Sequence, residues 1–316
     1  MSRRKSTTLI TIAAAAALTL TACSGGGDPL TGGGGDDSDT GSGSGGGSIT
    51  VGAANFPESE IVAHLYAIAL EDAGLTVDTR LQIGSREAYI PALEDGSIDL
   101  IPDYTGNLLR FLDTEATATS AEDIDAALPA ALEAEGLAAL TPAPAENKDA
   151  VVVTAETAED WNLTTIGDLA AYNAETAFAA NAEFAERPAG LPGLAAVYGF
   201  EPVRFVPIAD GGGPATVAAL KDGEVQAANI FTTTPAIESE GFVVLEDPDA
   251  NFAAQNVVPV LNADEVTDEI TQVLDALSAE LTTEDLIALN TRVSGDEKAE
   301  PETAAREWLE EKGLIG

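Results

Sequence analysis

Cysteine, histidine and methionine each occur once in this sequence of 316 residues, and basic side chains are scarce. The chain has 14 Lys and Arg residues against 54 Asp and Glu residues, which gives a formal charge of -40. One cysteine cannot form a disulfide within the chain, and a zinc site of Cys and His would lack ligands. Because such an acidic chain repels polyanions, nucleic acid is not expected as a partner.

Motifs for catalysis and cofactor binding are also missing. No G-x-x-x-x-G-K-[ST], H-E-x-x-H, C-x-x-C or G-x-S-x-G pattern occurs, so we expect neither a cofactor nor a metal. The three glycines from Gly211 to Gly213 are interpreted as a loop before a helix that begins at Pro214. The expectation is a protein that is not an enzyme; a secreted hydrolase that uses paired carboxylates is the alternative.

Residues 1–22 have the organisation of a secretory signal. Three basic residues near the start precede an apolar run, Leu9–Leu20, which is too short to span a bilayer. The run ends in Leu20-Thr21-Ala22-Cys23, which resembles the lipobox of bacterial lipoproteins. That resemblance implies cleavage before Cys23, lipid attachment to it, and anchoring to the outer face of the cytoplasmic membrane. A plain signal peptide with an incidental cysteine, or a short membrane anchor, is the alternative.

Residues 23–48 are predicted to be the lipidated cysteine followed by a flexible linker. After Cys23 the segment contains only Gly, Ser, Asp and Thr apart from Pro29 and Leu30, so it cannot bury apolar surface. A Gly-rich coil of this length reaches roughly 25–30 Å. We therefore expect the folded part of the protein to lie close to a membrane.

Strand and helix patterns alternate from Ile49 onward. Strands are predicted at Ile49–Ala53, Leu75–Ile83, Ser97–Ile101, Asp149–Thr154, Thr176–Ala180, Arg204–Pro207, Gln226–Ile230, Phe242–Leu245 and Asn256–Leu261. Helices are predicted at Glu58–Ala73, Arg86–Glu94, Tyr104–Phe111, Ala121–Glu135, Ala263–Ala279, Thr283–Val293 and Pro301–Lys312. Such alternation is typical of an α/β fold with mostly parallel sheets.

Several short segments, in this order and spacing, resemble a known class of binding protein. They are Val51–Glu60, Gly84–Glu87, Pro91–Leu100, Pro102–Asn107, Glu183–Gly190, Ala219–Val225 and Phe231–Thr234. Together they are similar to the substrate-binding proteins of osmoprotectant ABC importers, which capture glycine betaine, choline, carnitine or proline betaine. The resemblance extends from Ile49 to the C-terminus.

This resemblance implies a two-lobed α/β fold of the type II periplasmic-binding-protein kind, with a ligand cleft between the lobes. Two crossovers are expected near Lys148–Asp149 and Gln255–Asn256. Lobe 1 would comprise residues 49–148 and 257–316, and lobe 2 residues 149–256. Two lobes on a double hinge can close over a small solute. The expected partners are that solute and an ABC permease with its ATPase, both on separate chains.

The resemblance also implies ligand-binding positions. Aromatic faces hold a quaternary ammonium by cation–π attraction, and arginine holds a carboxylate. The cage tyrosines of the relatives match Tyr104, Asp149, Phe231 and Gln255, so two of the four are not aromatic here. Arg187 matches the carboxylate-binding arginine.

Three neighbouring positions complete the predicted site. Ala54 stands where the family usually has lysine, and Asn107 where it usually has threonine. Asn55 follows the first strand, and ligands of α/β proteins bind at the carboxyl ends of strands. These departures leave the solute open between a betaine or choline and another small polar or zwitterionic molecule.

The aromatic and acidic positions also have structural interpretations. Asp149 either neutralises a cationic head group or is solvated at the hinge, in which case Tyr89 or Phe252 would complete the pocket. Tyr104 and Phe231 are either cage residues or core residues.

The basic positions are equally open. Arg187 either binds a carboxylate or forms a surface ion pair with Glu183 or Glu186. Ser85 is positioned to cap the helix that begins at Arg86.

Overall fold

Two five-stranded sheets, each flanked by helices, form the protein in a computed structural model that describes residues 48–316. The predicted signal, Cys23 and nearly all of the predicted linker lie outside the described residues. The strands are β1 (Ile49–Gly52), β2 (Val77–Arg80), β3 (Leu100–Tyr104), β4 (Leu137–Ala139), β5 (Asp149–Val153), β6 (Ala177–Ala180), β7 (Arg204–Pro207), β8 (Ala227–Phe231), β9 (Val243–Val244) and β10 (Val257–Asn262). The first sheet has the order β2-β1-β3-β10-β4, and the second has the order β7-β6-β8-β5-β9.

The helices follow the predicted alternation. They are α1 (Pro57–Asp72), α2 (Arg86–Glu94), α3 (Thr105–Leu112), α4 (Ala121–Ala134), α5 (Ala155–Asp160), α6 (Leu191–Tyr198), α7 (Pro214–Lys221), α8 (Ala236–Ser239), α9 (Asp268–Glu280), α10 (Thr283–Ser294) and α11 (Pro301–Lys312). Side-chain caps start several of them: Ser120, Thr267 and Thr282 each accept a hydrogen bond from a backbone N–H of the first turn. The predicted helix start at Pro214 is confirmed.

The prediction of mostly parallel sheets is wrong, because both sheets are mixed. β1 runs parallel to β2 and β3, whereas β10 runs antiparallel to β3 and β4. In the second sheet, β6 is parallel to β7 and β8, and β5 is antiparallel to β8 and β9. The chain reaches β5 directly from the first sheet and β10 directly from the second sheet. Neither strand is therefore joined to a neighbour in its own sheet by the helical crossover that parallel strands need.

Two adjacent connections join the sheets. The chain leaves the first sheet after β4 and returns to it with β10. The two connecting segments lie side by side, since the Asn147 N–H donates to the Gln255 carbonyl (3.0 Å) and the Ala143 N–H to the Val257 carbonyl (2.8 Å). A pair of neighbouring connections is the arrangement of a double hinge. The lobe limits at residues 148/149 and 256/257 stay a prediction.

Apolar side chains pack against both faces of each sheet. In the first sheet, one face carries a core centred on α1 with Tyr66, and the other carries Leu93, Ile101 and Leu108. The second sheet has Phe178 and Phe200 on one face. Strands buried on both faces are characteristic of sheets covered by helices on each side. Within residues 48–316, no helix combines the length and the apolar character needed to cross a membrane.

A buried carboxylate connects the two sheets beside the hinge. Glu58, in the first turn of α1, is only 4% exposed. Its Oε1 accepts hydrogen bonds from the Tyr104 hydroxyl (2.6 Å) and the Asn147 amide (2.7 Å). Its Oε2 accepts from the Thr233 hydroxyl and the Asn290 amide, each at 2.5 Å. Four donors from separate segments therefore compensate the loss of water around this charge.

We predict that Glu58→Gln lowers the free energy of unfolding by about 3 kcal/mol. Each carboxylate oxygen of Glu58 accepts two hydrogen bonds, and in glutamine one oxygen is replaced by an NH₂ group that would face two donors. Chemical denaturation followed by circular dichroism measures the change. Glu60→Gln removes a partly exposed carboxylate from the same helix turn that forms no side-chain hydrogen bond or salt bridge within residues 48–316, and it should change stability by less than about 0.5 kcal/mol. Equal stabilities of the two variants would contradict the structural role of Glu58.

Candidate ligand-binding site

A small cavity lies between the two sheets, at the ends of their strands. Its volume is about 60 Å³, several times the roughly 10–15 Å³ that a single water molecule needs. It is lined by Ala54, Asn55, Phe56, Ser85, Arg86, Tyr89, Pro102, Tyr104, Asn107, Asn147, Asp149, Asn181, Arg187 and Phe231. Tyr104 ends β3 and Phe231 ends β8, so the site occupies the carboxyl ends of parallel strands, where α/β proteins bind ligands.

Four aromatic side chains face this cavity. The rings of Phe56 and Tyr104 have centroids 6.1 Å apart, and those of Phe56 and Phe231 are 5.4 Å apart and edge to face. Tyr89 lines the cavity as well. Phe252 is instead 3% exposed in the core of the second sheet. The structure thus brings together Tyr104, Phe231 and Tyr89 with Phe56, an aromatic residue that the sequence analysis did not single out.

The glycine loop after β7 packs against this aromatic pair. Gly211 has a φ of +62°, and a Cβ atom there would lie 3.0 Å from the Cβ of Phe56 and 3.1 Å from the ring of Phe231. Both the backbone conformation and the close approach favour glycine. The loop therefore shapes the aromatic wall.

Asp149 and Asn107 meet across the cavity. The Asn107 amide donates to an oxygen of Asp149 at 2.7 Å, and both side chains are partly exposed. Gln255 was predicted to contact the ligand, but it is fully buried and does not line the cavity. Its Oε1 accepts the backbone N–H of Asn107 at 3.0 Å. Gln255 therefore positions Asn107 from behind.

Arg86 forms a buried ion pair at the cavity wall. Its guanidinium contacts Asp103 at 2.5 Å, and the Tyr89 hydroxyl donates to the same carboxylate at 2.9 Å. Burial opposes the charge of Arg86, but the carboxylates of Asp103 and Asp149 outweigh it and raise the pKa of Arg86 above its ordinary value. Burial also raises the pKa of the Tyr89 hydroxyl well above its usual value. This group therefore stays charged on Arg86 and protonated on Tyr89.

Tyr104 is held in place by its hydroxyl. Burial, reinforced by the nearby Glu58 charge, raises the pKa of Tyr104 well above its ordinary value. The hydroxyl consequently remains a donor to Glu58, and the ring is fixed toward the cavity.

Arg187 contacts a residue on the opposite side of the cleft, on helix α2 beside the first sheet. Its guanidinium contacts Glu87 of α2 at 3.0 Å, so the alternative interpretation of an ion pair with Glu183 or Glu186 is replaced by a link across the cleft. Glu183 accepts instead from the Ser85 hydroxyl at 3.1 Å. Ser85 makes no side-chain cap on α2, contrary to prediction; its side chain contacts Glu183 instead. Two polar links therefore join α2 to the second sheet.

A second cavity adjoins the first. It has a volume of about 300 Å³ and shares Arg86, Asn107, Asp149 and Arg187 with the aromatic cavity. Arg110 lines it, and its guanidinium donates to the Asn251 carbonyl at 2.7 Å. Among residues 48–316, no cluster of three His, Cys, Asp or Glu side chains is arranged to hold a metal ion.

Comparison with known proteins gives concordant relatives. The glycine betaine-binding protein YehZ of Escherichia coli (strain K12) is 27% identical over 277 residues, which cover 84% of this chain and 90% of the relative. A glycine-betaine-binding protein of Pseudomonas aeruginosa is 28% identical over 287 residues, covering 85% and 89%. The solved structure of a glycine betaine/carnitine/choline ABC transporter protein matches with a TM-score of 0.67 at 21% identity, covering 85% of this chain and 100% of that chain.

This structural match, and a second one to a glycine betaine complex of lactococcal OpuAC (TM-score 0.59, 15% identity, covering 84% of this chain and 96% of that chain), identify the two sheets with the two lobes of a periplasmic-binding-protein fold. A family model described as the substrate-binding domain of an ABC-type glycine betaine transport system matches residues 47–311. The match spans nearly all of the described part of the chain, from before β1 to the last turn of α11. The chain therefore belongs to the family of substrate-binding domains of ABC-type glycine betaine transport systems.

Proposed function

We propose that this protein captures a small solute with a quaternary-ammonium group in the cleft and delivers it to an ABC permease. The observation that carries the proposal is the set of aromatic rings around a small cavity: Phe56, Tyr89, Tyr104 and Phe231. A quaternary ammonium has no N–H to donate, so aromatic faces are the groups that hold it with specificity. The names of the relatives from Escherichia coli and Pseudomonas aeruginosa, both glycine betaine-binding proteins, support the same class of ligand.

Capture by closure of the cleft accounts for the links between the lobes. The Ser85–Glu183 and Glu87–Arg187 contacts join α2 to the second sheet beside the cavity, away from the paired connections that form the hinge. Closure over a solute excludes water and creates a surface that a permease can distinguish from the open form. Delivery therefore depends on a conformational change and needs no chemical step.

A hydrolytic function has less support from the cavity. Acid–base hydrolysis by carboxylates needs two such groups flanking the substrate. Of the residues in the 48–316 range that line the aromatic cavity, Asp149 is the single carboxylate. The arrangement favours binding without turnover.

Titration calorimetry on the full-length protein purified in detergent tests the binding function. We expect heat of binding with at least one of choline, glycine betaine, carnitine and proline betaine. We also expect Phe231→Leu to weaken binding of that solute by about 5- to 30-fold, because leucine keeps apolar volume but removes the aromatic face. Phe205→Leu changes a partly buried ring of β7 outside the cavity and should leave affinity unchanged.

A neutral isostere separates cation–π attraction from simple burial. 3,3-Dimethylbutan-1-ol has the shape of choline without its charge, so it should bind more weakly than choline and be insensitive to Phe231→Leu. Absence of heat with every quaternary-ammonium solute would overturn the proposed function.

We further propose that Cys23 anchors the protein outside the cytoplasmic membrane, as its lipobox-like context indicates. In bacteria that express the full chain and are fed radiolabelled palmitate, the wild-type protein should incorporate label and sediment with membranes. Cys23→Ala should abolish the labelling, since the chain has no other cysteine. Equal labelling of both proteins, or of neither, would contradict the anchor.

A further inference from the structure

The charges around the aromatic cavity do not balance. Two guanidinium groups line it, Arg86 and Arg187, together with the carboxylate of Asp149. Each arginine is already paired, Arg86 with Asp103 and Arg187 with Glu87. Three carboxylates thus stand against two cations, and the group has one excess negative charge.

Each arginine already gives two of its three guanidinium nitrogens, Nε and Nη2, to a carboxylate of the protein. Glu87 contacts Arg187 through both of its oxygens, at 3.0 and 3.2 Å from Nη2, and Nε also lies 3.3 Å from Oε1. Arg86 is 7% exposed and uses Nε and Nη2 on Asp103. A ligand carboxylate could therefore reach only Nη1 of either guanidinium unless it displaced Glu87 or Asp103, and displacement of Asp103 from the buried pair would leave an uncompensated charge.

Asp149 is the carboxylate of this group that is not in an ion pair. This carboxylate accepts the Asn107 amide and, within the part of the chain that the structure describes, has no Lys or Arg within salt-bridge distance. Glu58 adds a second carboxylate without a cationic partner in residues 48–316, directly behind the hydroxyl of Tyr104. The adjoining cavity does not reverse the sign, because it adds Arg110 but also Glu183 and Glu186. The local field therefore attracts cations.

The remaining polar groups at the cavity are neutral. Four asparagine side chains line it: Asn55, Asn107, Asn147 and Asn181. Amides donate to and accept from a hydroxyl or carbonyl group without requiring it to be charged. They are suited to the uncharged polar end of a solute.

We infer that this site selects a solute of net positive charge, a quaternary ammonium with a neutral hydroxyl-bearing or carbonyl-bearing tail, over a zwitterion such as a betaine, and that Asp149 determines the selectivity. The inference rests on the proposed function. It names the substrate class of the same cavity. Glu87 contributes by occupying Arg187, the residue that would otherwise hold a carboxylate.

Choline and glycine betaine form a matched pair for the test, because they share the trimethylammonium head and differ in a hydroxymethyl group against a carboxylate. Calorimetry on the full-length protein in detergent should show choline binding at least about tenfold more tightly than glycine betaine. Asp149→Asn keeps the size of the side chain and should weaken choline by about tenfold or more, with a smaller loss for the betaine. Glu87→Gln should free Arg187 and strengthen glycine betaine several-fold without strengthening choline.

Glu94→Gln is the control, since it removes one exposed negative charge from the same helix α2 at a distance from the cavity. It should change neither affinity, and circular dichroism would verify that each variant is folded. Tighter binding of glycine betaine than of choline by the wild-type protein would overturn the inference and leave the proposed function intact, as would an unchanged choline affinity in Asp149→Asn. Failure to bind either solute or any other quaternary ammonium would overturn the proposed function itself.

Discussion

The carboxylate of Glu58 is the constraint on which the rest of the site depends. A charge removed from water is costly unless every lone pair finds a donor, and here the donors come from β3, the hinge connection, the segment after β8 and helix α10. These segments are distant in the chain and meet only when both sheets and the hinge are in place. The same carboxylate orients Tyr104, so the shape of the aromatic wall and the geometry of the hinge share one electrostatic origin.

The common strand order of the two sheets explains why the site forms where it does. In each sheet, a strand that comes from the other sheet occupies the fourth position, antiparallel to its neighbours. The carboxyl ends of the parallel strands in both sheets then face the same cleft, and the first residue of β5 lies at that edge because β5 runs the other way. Asp149, Tyr104 and Phe231 reach one cavity for this reason although they belong to different sheets.

Local signals in the sequence predict local structure well here. α2, β7 and α11 begin and end where the pattern indicates, and α11 has Pro301 in its first turn and Gly313 in a left-handed conformation after its last. β4 was not predicted, since an edge strand of three residues has too little alternation to be recognised. The mixed direction of the sheets was also missed, because it depends on how the two halves of the chain exchange a strand.

The candidate site shows the same division. The family resemblance indicates Tyr104, Phe231, Asp149, Asn107 and Arg187, and the strand-end rule indicates Asn55; all six line the cavity. Phe56 could have been suspected from its place directly after the first strand, yet only the fold brings its ring against Phe231. The direction of a side chain and its partner in the fold could not be predicted from the sequence pattern. Gln255 points into the protein, and Arg187 pairs with Glu87, which is 100 residues away in the chain.

The Ser85 hydroxyl links the two lobes where a helix cap was expected. Its backbone has the extended conformation of a helix N-cap, but its side chain donates to Glu183 and forms no cap hydrogen bond with α2. A side-chain cap stabilises a helix by about 1 kcal/mol. At this position the polar side chain therefore contributes to the placement of α2 against the second lobe and not to the stability of its first turn.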